Sequence, residues 1–272
     1  MSFPFVIVDV FTDAALAGNQ LAVFPAGELV PEALLQPIAR EIGFSETVYV
    51  HPGDRIRIFT PSVELPFAGH PVLGTAHVLA TTRGTASVTL VTPKGPVELR
   101  HDGVSRARMV QPLPTTRPWG GDDAALLSAI GLDRALAPID LYDNGAQHVF
   151  VVAPSVGAVA ELRPDLQRVR CLLPDAGLSV FAGEGARWKT RMFFPGAGIA
   201  EDPATGSAVG PLAVHLARHG LAPWGEELTV LQGAELDRPS TLYVRAEGGP
   251  DGPTRVEVAG DSVIVGRGEL DL

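Results

Sequence analysis

Residues 191–210 read Arg-Met-Phe-Phe-Pro-Gly-Ala-Gly-Ile-Ala-Glu-Asp-Pro-Ala-Thr-Gly-Ser-Ala-Val-Gly, a pattern typical of a strand, a turn and the start of a helix. The apolar strand residues end at Pro195, and a helix is expected from near Ser207 to a stop at Gly220. Polar side chains crowd the expected helix start, where unpaired backbone N–H groups and the helix dipole favour an anion. An ordinary capped helix would carry the same residue types. This stretch alone therefore leaves a structural and a functional interpretation open.

The same pattern occurs earlier in the chain. Residues 64–80 read Glu-Leu-Pro-Phe-Ala-Gly-His-Pro-Val-Leu-Gly-Thr-Ala-His-Val-Leu-Ala, and Gly69 lies 137 positions before Gly206. The pairs shared at that offset include Glu64 and Glu201, Pro66 and Pro203, Val72 and Val209, Ala76 and Ala213, and Leu79 and Leu216. The shared apolar residues follow one face of a helix. Two such copies half a chain apart predict an internal duplication.

The order of the predicted elements also repeats, as strand, helix, strand, motif, buried helix and further strands. This order predicts an α+β fold of two similar halves, each a β-sheet or barrel wrapped around a central helix. A proline-rich stretch at 112–118 marks the boundary. We therefore expect halves at residues 1–114 and 115–272, with the last strand able to pair back to the first half. Residues 156–168 are predicted as one helix that has no counterpart in the first half.

The composition is that of a globular protein, with 272 residues, 46% hydrophobic and 19% charged. A formal net charge of −10 disfavours nucleic acid as a partner, because phosphates require clustered Lys and Arg. No apolar run reaches the length of a membrane span, and the first residues lack the basic start of a signal peptide. The single Cys171 excludes an internal disulfide, which fits a cytoplasmic location.

The positions at which the two halves differ are the best candidates for chemistry. The unlike pairs are Glu46 and Gln147 at two similar strands, Asp202 and Leu65 at the motifs, and His70 and Ser207 at the helix starts. In the first two pairs an ionisable group in one half corresponds to a group without charge in the other. Sites between domains are common, so we expect Glu46, His70, Asp202 and Ser207 to line one cleft between the halves.

The chemistry of this set favours proton transfer. A shielded Glu46 could act as an acid and a base in turn, and His70 could donate to or accept from a polar substrate atom. Asp202 and Ser207 could orient an amine or a hydroxyl group. Each residue also has a structural interpretation: His70 and Ser207 as helix caps, Asp202 opposite the helix dipole, and Glu46 as a solvated side chain.

Three motifs resemble those of the PhzF-like phenazine-biosynthesis family. They are Gly-Phe-Ser-Glu-Thr at 43–47, Glu-Leu-Pro-Phe-Ala-Gly-His-Pro at 64–71 and Glu-Asp-Pro-Ala-Thr-Gly-Ser-Ala at 201–208, and Asn-Gly-Ala-Gln-His-Val-Phe-Val at 144–151 also fits. The resemblance implies a diaminopimelate epimerase-like fold and an isomerase, typically homodimeric, that uses no cofactor and no metal. Its substrate would be a small amino- or hydroxy-substituted carboxylic acid.

The resemblance also implies roles for single residues. Glu46 would be the proton-shuttling catalytic residue, supported by His70 and Asp202. The substrate-binding residues would be Asn19, Gly69, Gln147, Gly206 and Ser207. The two cysteines that flank the substrate carbon in epimerases of this fold are missing from the motifs, which disfavours a two-thiol racemase.

Two other functions remain open at this stage. A serine-type hydrolase would use Ser207, His70 and Asp202, although the Gly-x-Ser-x-Gly elbow is absent. A small-molecule-binding protein without catalytic activity would keep the same anion-binding helix starts. His215 and His219 have the spacing of a metal-binding pair, but no third ligand motif lies nearby, so we expect a solvated helix face.

Overall fold

The computed structural model describes residues 1–103 and 105–272. The chain divides into two compact units: unit 1 comprises Met1–Val110 and Ala259–Leu272, and unit 2 comprises Gln111–Val258. Among the described residues, no helix has both the length and the apolar character needed to cross a membrane.

Unit 1 contains a mixed sheet and two helices. Its elements are β1 (Ser2–Val10), β2 (Asn19–Phe24), α1 (Glu32–Ile42), β3 (Glu46–His51), β4 (Arg55–Phe59), β5 (Glu64–Leu65), α2 (Gly69–Arg83), β6 (Ser87–Thr92), β7 (Gly95–His101) and β8 (Arg106–Val110). β1 pairs antiparallel with β2, and β2 pairs parallel with β3, which places Glu46 opposite Leu21 at the start of β3.

Helix α2 is the central helix of unit 1. All of its residues from Gly69 to Ala80 are buried, which is the pattern of a helix enclosed by a sheet rather than of a surface helix. A Cβ atom added at Gly74 would lie 2.7 Å from Val10 Cγ2 and 2.8 Å from Leu21 Cδ2. Gly74 therefore allows the helix to approach β1 and β2 closely. Gly84 ends α2 in the left-handed conformation, which glycine adopts without strain.

Unit 2 contains the remaining elements. They are β9 (Thr115–Pro118), α3 (Asp123–Ile130), β10 (Asp140–Asp143), β11 (Gln147–Val152), α4 (Val156–Ala160), α5 (Leu166–Leu172), β12 (Gly177–Glu184), β13 (Arg187–Phe194), β14 (Ile199–Asp202), α6 (Gly206–Arg218), β15 (Glu227–Gln232), β16 (Ser240–Gly249) and β17 (Gly252–Asp271). Strand β17 belongs to both units, and its residues 262–271 pair antiparallel with β1.

Helix α6 is the buried central helix of unit 2. Its residues from Ala208 to Leu216 are buried, and Gly206 and Ser207 form its first turn. An apolar cluster joins the sheet of unit 2 to helices α3, α4 and α5. It includes Leu126, Val151 and Phe193. Each unit thus has a sheet around one central helix, which confirms the predicted α+β fold.

Both copies of the repeated motif carry the same ion pair. In unit 1, Arg57 Nε and Nη2 each donate to Glu64 at 2.7 Å. In unit 2, Arg191 Nε and Nη2 donate to Glu201 at 2.8 and 2.7 Å. Two-pronged arginine–carboxylate pairs fix the geometry of both partners. We conclude that Glu64 and Glu201 hold each motif against the strand before it, so neither is a candidate for proton transfer.

Some sequence predictions were wrong. Residues 156–168 form two short helices instead of one, because Pro164 has no backbone N–H and disfavours helical geometry in the residue before it. Asp165 then caps α5 by accepting from the backbone N–H groups of Gln167 and Arg168. The apolar residues at 255–258 and 262–265 predict two separate strands, but both ranges lie in one continuous strand, β17.

The expectation of a solvated His215–His219 helix face is also wrong for His215. Its side chain has no exposed surface, and its ring lies 5.6 Å from Tyr142, 5.8 Å from Phe150 and 5.7 Å from Phe181. The reason is that α6 is enclosed by its sheet, so its polar side chains cannot all reach water. Burial lowers the pKa of His215 to about 3.

Candidate functional site

Glu46 and His70 lie side by side in unit 1. Glu46 is the first residue of β3, and His70 is the second residue of α2. Glu46 Oε2 lies 3.4 Å from His70 Nδ1, and the two residues are only 9% and 4% exposed. A carboxylate and an imidazole this close can both take part in proton transfer to or from a bound substrate. We call Glu46, His70, Asn19 and Gly69 the Glu46 site.

His70 is neutral at physiological pH. Burial lowers its pKa to about 3, and a hydrogen bond to the backbone of Gln20 opposes only part of that shift. Its Nε2 atom is buried and has no hydrogen-bond partner among the described residues. Because a buried polar atom without a partner is costly, a ligand atom or water at this position would stabilise the site.

Asn19 and Gly69 complete the Glu46 site. Asn19 begins β2 and is 1% exposed, and the Ser45 hydroxyl donates to its Oδ1 at 3.4 Å. Gly69 is the first residue of α2, and the preceding Ala68 makes no side-chain cap. The helix start therefore keeps backbone donors that an anionic ligand could use. The alternative interpretation of His70 as the cap is wrong, because no side chain caps α2.

Asp202 is held in a buried polar network in unit 2. Its Oδ2 accepts a hydrogen bond from Thr205 Oγ1 at 2.5 Å. Gln232 donates through Nε2 to the Asp202 carbonyl at 2.7 Å and to Thr205 Oγ1 at 3.0 Å. The Thr205 N–H donates in turn to Gln232 Oε1 at 3.2 Å. Gln232 thus fixes the turn between β14 and α6, and the carboxylate of Asp202 is fixed with it. We call Asp202, Thr205, Gly206, Ser207 and His148 the Asp202 site.

Ser207 is paired with a histidine that the sequence did not single out. Ser207 Oγ lies 3.2 Å from His148 Nε2, and Asn144 Nδ2 donates to the Ser207 carbonyl at 2.9 Å. Ser207 lies in the first turn of α6 rather than at its cap, and the cap residue Thr205 makes no side-chain cap bond. The interpretation of Ser207 as a helix cap is therefore wrong.

His148 has the same electrostatic character as His70. It is 1% exposed, and burial lowers its pKa to about 4. Its Nδ1 atom is buried without a hydrogen-bond partner in the part of the chain that the structure describes. A neutral imidazole can accept from the Ser207 hydroxyl or donate to it, depending on its tautomer. The sequence signal was present, since His148 lies within the quoted 144–151 motif.

Gln147 occupies the position in unit 2 that Glu46 occupies in unit 1. Each is the first residue of a six-residue strand, β11 and β3. Gln147 Nε2 donates to Asp143 Oδ2 at 3.2 Å. The equivalence of the two positions, inferred from the sequence, is thus confirmed by the strand boundaries. Gly206 begins α6 as Gly69 begins α2, and its carbonyl accepts from Gln111 Nε2 at 2.8 Å.

The comparisons with known proteins agree with the motifs. The family model described as "Phenazine biosynthesis-like protein" matches residues 8–268. A trans-2,3-dihydro-3-hydroxyanthranilate isomerase from Pseudomonas chlororaphis is 46% identical, with 98% of this chain and 99% of the relative covered. Such identity over whole chains includes both units and all three motifs.

Solved structures show the same fold. The structure of a protein described as a predicted epimerase from Pseudomonas aeruginosa is 33% identical and superposes with a TM-score of 0.83 over 99% of both chains. A hydroxyproline epimerase from Agrobacterium vitis is only 10% identical, yet it superposes with a TM-score of 0.67 over 99% of this chain and 91% of its own. The second likeness concerns the fold alone. From the family match and the whole-chain identity, we conclude that this chain is an isomerase that belongs to the PhzF-like phenazine biosynthesis family.

Proposed function

We propose that the chain isomerises a small cyclic carboxylic acid that carries amino and hydroxyl groups, with trans-2,3-dihydro-3-hydroxyanthranilate as the first candidate. The Glu46–His70 contact carries this proposal, because it supplies a buried acid–base group next to a helix start that can hold a carboxylate. The substrate class is suggested by the relative from Pseudomonas chlororaphis, whose name states that compound. It also matches the mixture of donors and acceptors in the two sites.

The proposed reaction moves one proton within the substrate. The Glu46 carboxylate removes a proton from a ring carbon, and the electron pair of the broken C–H bond delocalises into the conjugated system. The resulting Glu46 carboxylic acid then returns the proton to a different ring carbon. Substrate and product have the same formula, and no electron acceptor or second reactant is needed. We propose that neither a metal nor an organic cofactor takes part.

Neutral histidines suit this reaction. A neutral His70 forms no ion pair with Glu46, so it does not hold the carboxylate away from a substrate C–H bond. His70 and His148 can each offer one donor and one acceptor to the hydroxyl or amino group. We further propose that each repeated motif can hold an anionic group at the uncapped start of its central helix.

The two rival functions are less well supported. In a serine hydrolase the Ser207 hydroxyl would need a histidine that a carboxylate orients. Within unit 2 its neighbour is His148, whose Nδ1 has no described partner, while the Asp202 carboxylate accepts from Thr205. A binding protein without activity would not require a buried glutamate at the position where the sister half has an amide.

We also propose that the protein is a cytoplasmic homodimer. The dimer is suggested by the family resemblance, and the location by the single exposed Cys171, which forms no structural disulfide. Light scattering on the purified protein should then give twice the chain mass of 28.6 kDa. A mass equal to one chain at micromolar concentration would contradict the dimer.

Turnover of the candidate substrate tests the proposed function. Purified protein incubated with trans-2,3-dihydro-3-hydroxyanthranilate should change its ultraviolet spectrum, and NMR should show a C–H bond at a new ring position. Deuterium at the donor carbon should slow the reaction, because that bond is broken. Analogues without the carboxylate or without the hydroxyl serve as controls and should react poorly. Absence of turnover with folded protein would refute this substrate.

A further inference from the structure

Three side chains that could ligate a metal meet in unit 2. His215 and His219 are one helical turn apart at the C-terminal end of α6, and Asp140 is the first residue of β10. His219 Nε2 lies 2.8 Å from Asp140 Oδ2, and His215 Nδ1 lies 3.8 Å from the same oxygen. One ligand atom from each residue can be chosen so that all three lie within 4.8 Å of one another.

His215 is the unusual member of this cluster. It is fully buried, and neither of its ring nitrogens has a hydrogen-bond partner in the described part of the chain. Buried polar atoms in folded proteins nearly always have a partner, and each exception requires an explanation such as a bound ion. A structural core histidine would normally place at least one nitrogen against a donor or an acceptor. The rings of Phe150 and Phe181 offer neither, and the nearby Tyr142 hydroxyl makes no hydrogen bond to His215.

The spacing of the three ligand atoms fits a small transition-metal ion. Ligand atoms bound tetrahedrally at about 2.0–2.1 Å from zinc lie roughly 3.3 Å from one another. The two observed distances to Asp140 Oδ2, 2.8 and 3.8 Å, lie on either side of that value. Small side-chain rotations would therefore equalise them. The His219 side chain is 21% exposed, which gives access from solvent and room for a water as the fourth ligand.

We propose that Asp140, His215 and His219 form a site for one Zn²⁺ ion, or for a similar divalent transition metal, that is separate from the isomerase site. Two imidazoles and one carboxylate suit zinc, whereas Ca²⁺ and Mg²⁺ prefer sets of oxygen ligands. The Arg218 guanidinium lies close enough to influence His215 and opposes a cation, but Arg218 is exposed and screened by solvent. Asp140 is buried and supplies the compensating negative charge.

The proposed metal has a structural role. It would join the C-terminal end of α6 to β10, and α6 is the helix whose first turn holds Ser207. At 1.5 Å per residue, His215 and His219 lie about 12 and 18 Å along the helix from Ser207. At this distance from Ser207, the ion would take no part in the proposed proton transfer. It would stabilise unit 2 by binding the folded state only.

Zinc binding to tag-free, chelator-treated protein tests the proposal. Calorimetric titration should show one Zn²⁺ per chain, and added Zn²⁺ should raise the Tm. Co²⁺ in its place should give the visible absorption of a tetrahedral site. His219→Gln and Asp140→Asn should each weaken binding at least tenfold and abolish the Tm shift. These two residues are preferred to His215, since a substitution inside the core could prevent folding.

Two variants serve as matched controls. His51→Gln removes a histidine from unit 1, and Cys171→Ser removes the exposed thiol, which could also bind zinc. Both should bind Zn²⁺ as the wild type does. The proposal is overturned if the wild type binds no stoichiometric Zn²⁺, or if His219→Gln and Asp140→Asn bind as tightly as the controls.

Discussion

Glu46 Oε2 lies 3.4 Å from Nδ1 of His70, and this contact joins the start of a strand to the first turn of a central helix. Because burial keeps His70 neutral, the two side chains do not form an ion pair. This arrangement supports the proposal that Glu46 accepts a proton from the substrate.

Glu46→Gln should abolish isomerisation while preserving the fold. The amide cannot accept a proton, and general acid–base catalysis of this kind contributes about 10²–10⁴-fold to the rate. Gln147 at the sister position shows that an amide is compatible with the start of such a strand. The measurement is kcat and ligand affinity on the same variant, with the exposed Glu41→Gln as the matched control. Near-normal turnover by Glu46→Gln would remove Glu46 as the proton shuttle.

Thr205→Val should impair catalysis through Asp202. The valine has nearly the same shape as threonine, but it leaves Asp202 Oδ2 without the 2.5 Å hydrogen bond and Gln232 without one acceptor. A buried polar group that loses its hydrogen-bond partner costs about 1–3 kcal/mol. If this whole cost destabilises the transition state, kcat/KM decreases by roughly 5- to 150-fold. We expect kcat/KM to fall within that range.

Thr205→Ser is the matched control for this position. It keeps the hydroxyl and loses only a methyl group, so kcat/KM should remain close to that of the wild type. A serine variant as impaired as the valine variant would show that the retained hydroxyl is not sufficient for activity. The prediction is contradicted if Thr205→Val keeps near-normal kcat/KM, because the hydrogen bond to Asp202 would then have no catalytic importance.

Chelator treatment should leave the isomerisation rate unchanged. The cluster Asp140, His215 and His219 lies at the opposite end of α6 from Ser207, and the proposed proton transfer needs no metal. We expect kcat/KM to change by less than about twofold after dialysis against a strong chelator, since uniform stabilisation of the fold does not alter the chemical step. Activity that is lost on dialysis and restored by Zn²⁺ would show that a metal takes part in catalysis.

The sequence was sufficient to predict the parts of the site that depend on local patterns. The equivalence of Glu46 and Gln147 followed from two similar strands. Residues whose role depends on tertiary contacts were not found. Gln232 is 27 positions from Thr205, and nothing near it in the sequence indicates that it bonds the Asp202 turn.

The amphipathic-helix argument also has a physical limit in this fold. It assumes that one face of a helix meets water, whereas a central helix is enclosed on nearly all sides. His215 was therefore placed on a solvated face, although it is fully buried. The break at Pro164, in contrast, could have been predicted, because proline and the residue before it both disfavour the helix interior.

The last prediction concerns stability at acid pH. The folded-state pKa of His148 is lowered to about 4 by burial, whereas an unfolded histidine titrates near 6.5. Between those values the unfolded state binds more protons than the folded state, so the free energy of unfolding falls as the pH falls through this window. For one such histidine, the free energy of unfolding decreases by about 2 kcal/mol between pH 7 and pH 5.

The variant His148→Gln removes this titration. Its free energy of unfolding should therefore decrease by about 2 kcal/mol less than that of the wild type over the same interval. Urea unfolding of both chelator-treated proteins at the two pH values measures this difference, whatever the variant's stability at pH 7. Equal pH dependence in the two proteins would mean that His148 is accessible to protons in the folded state, which would contradict its enclosure beside Ser207.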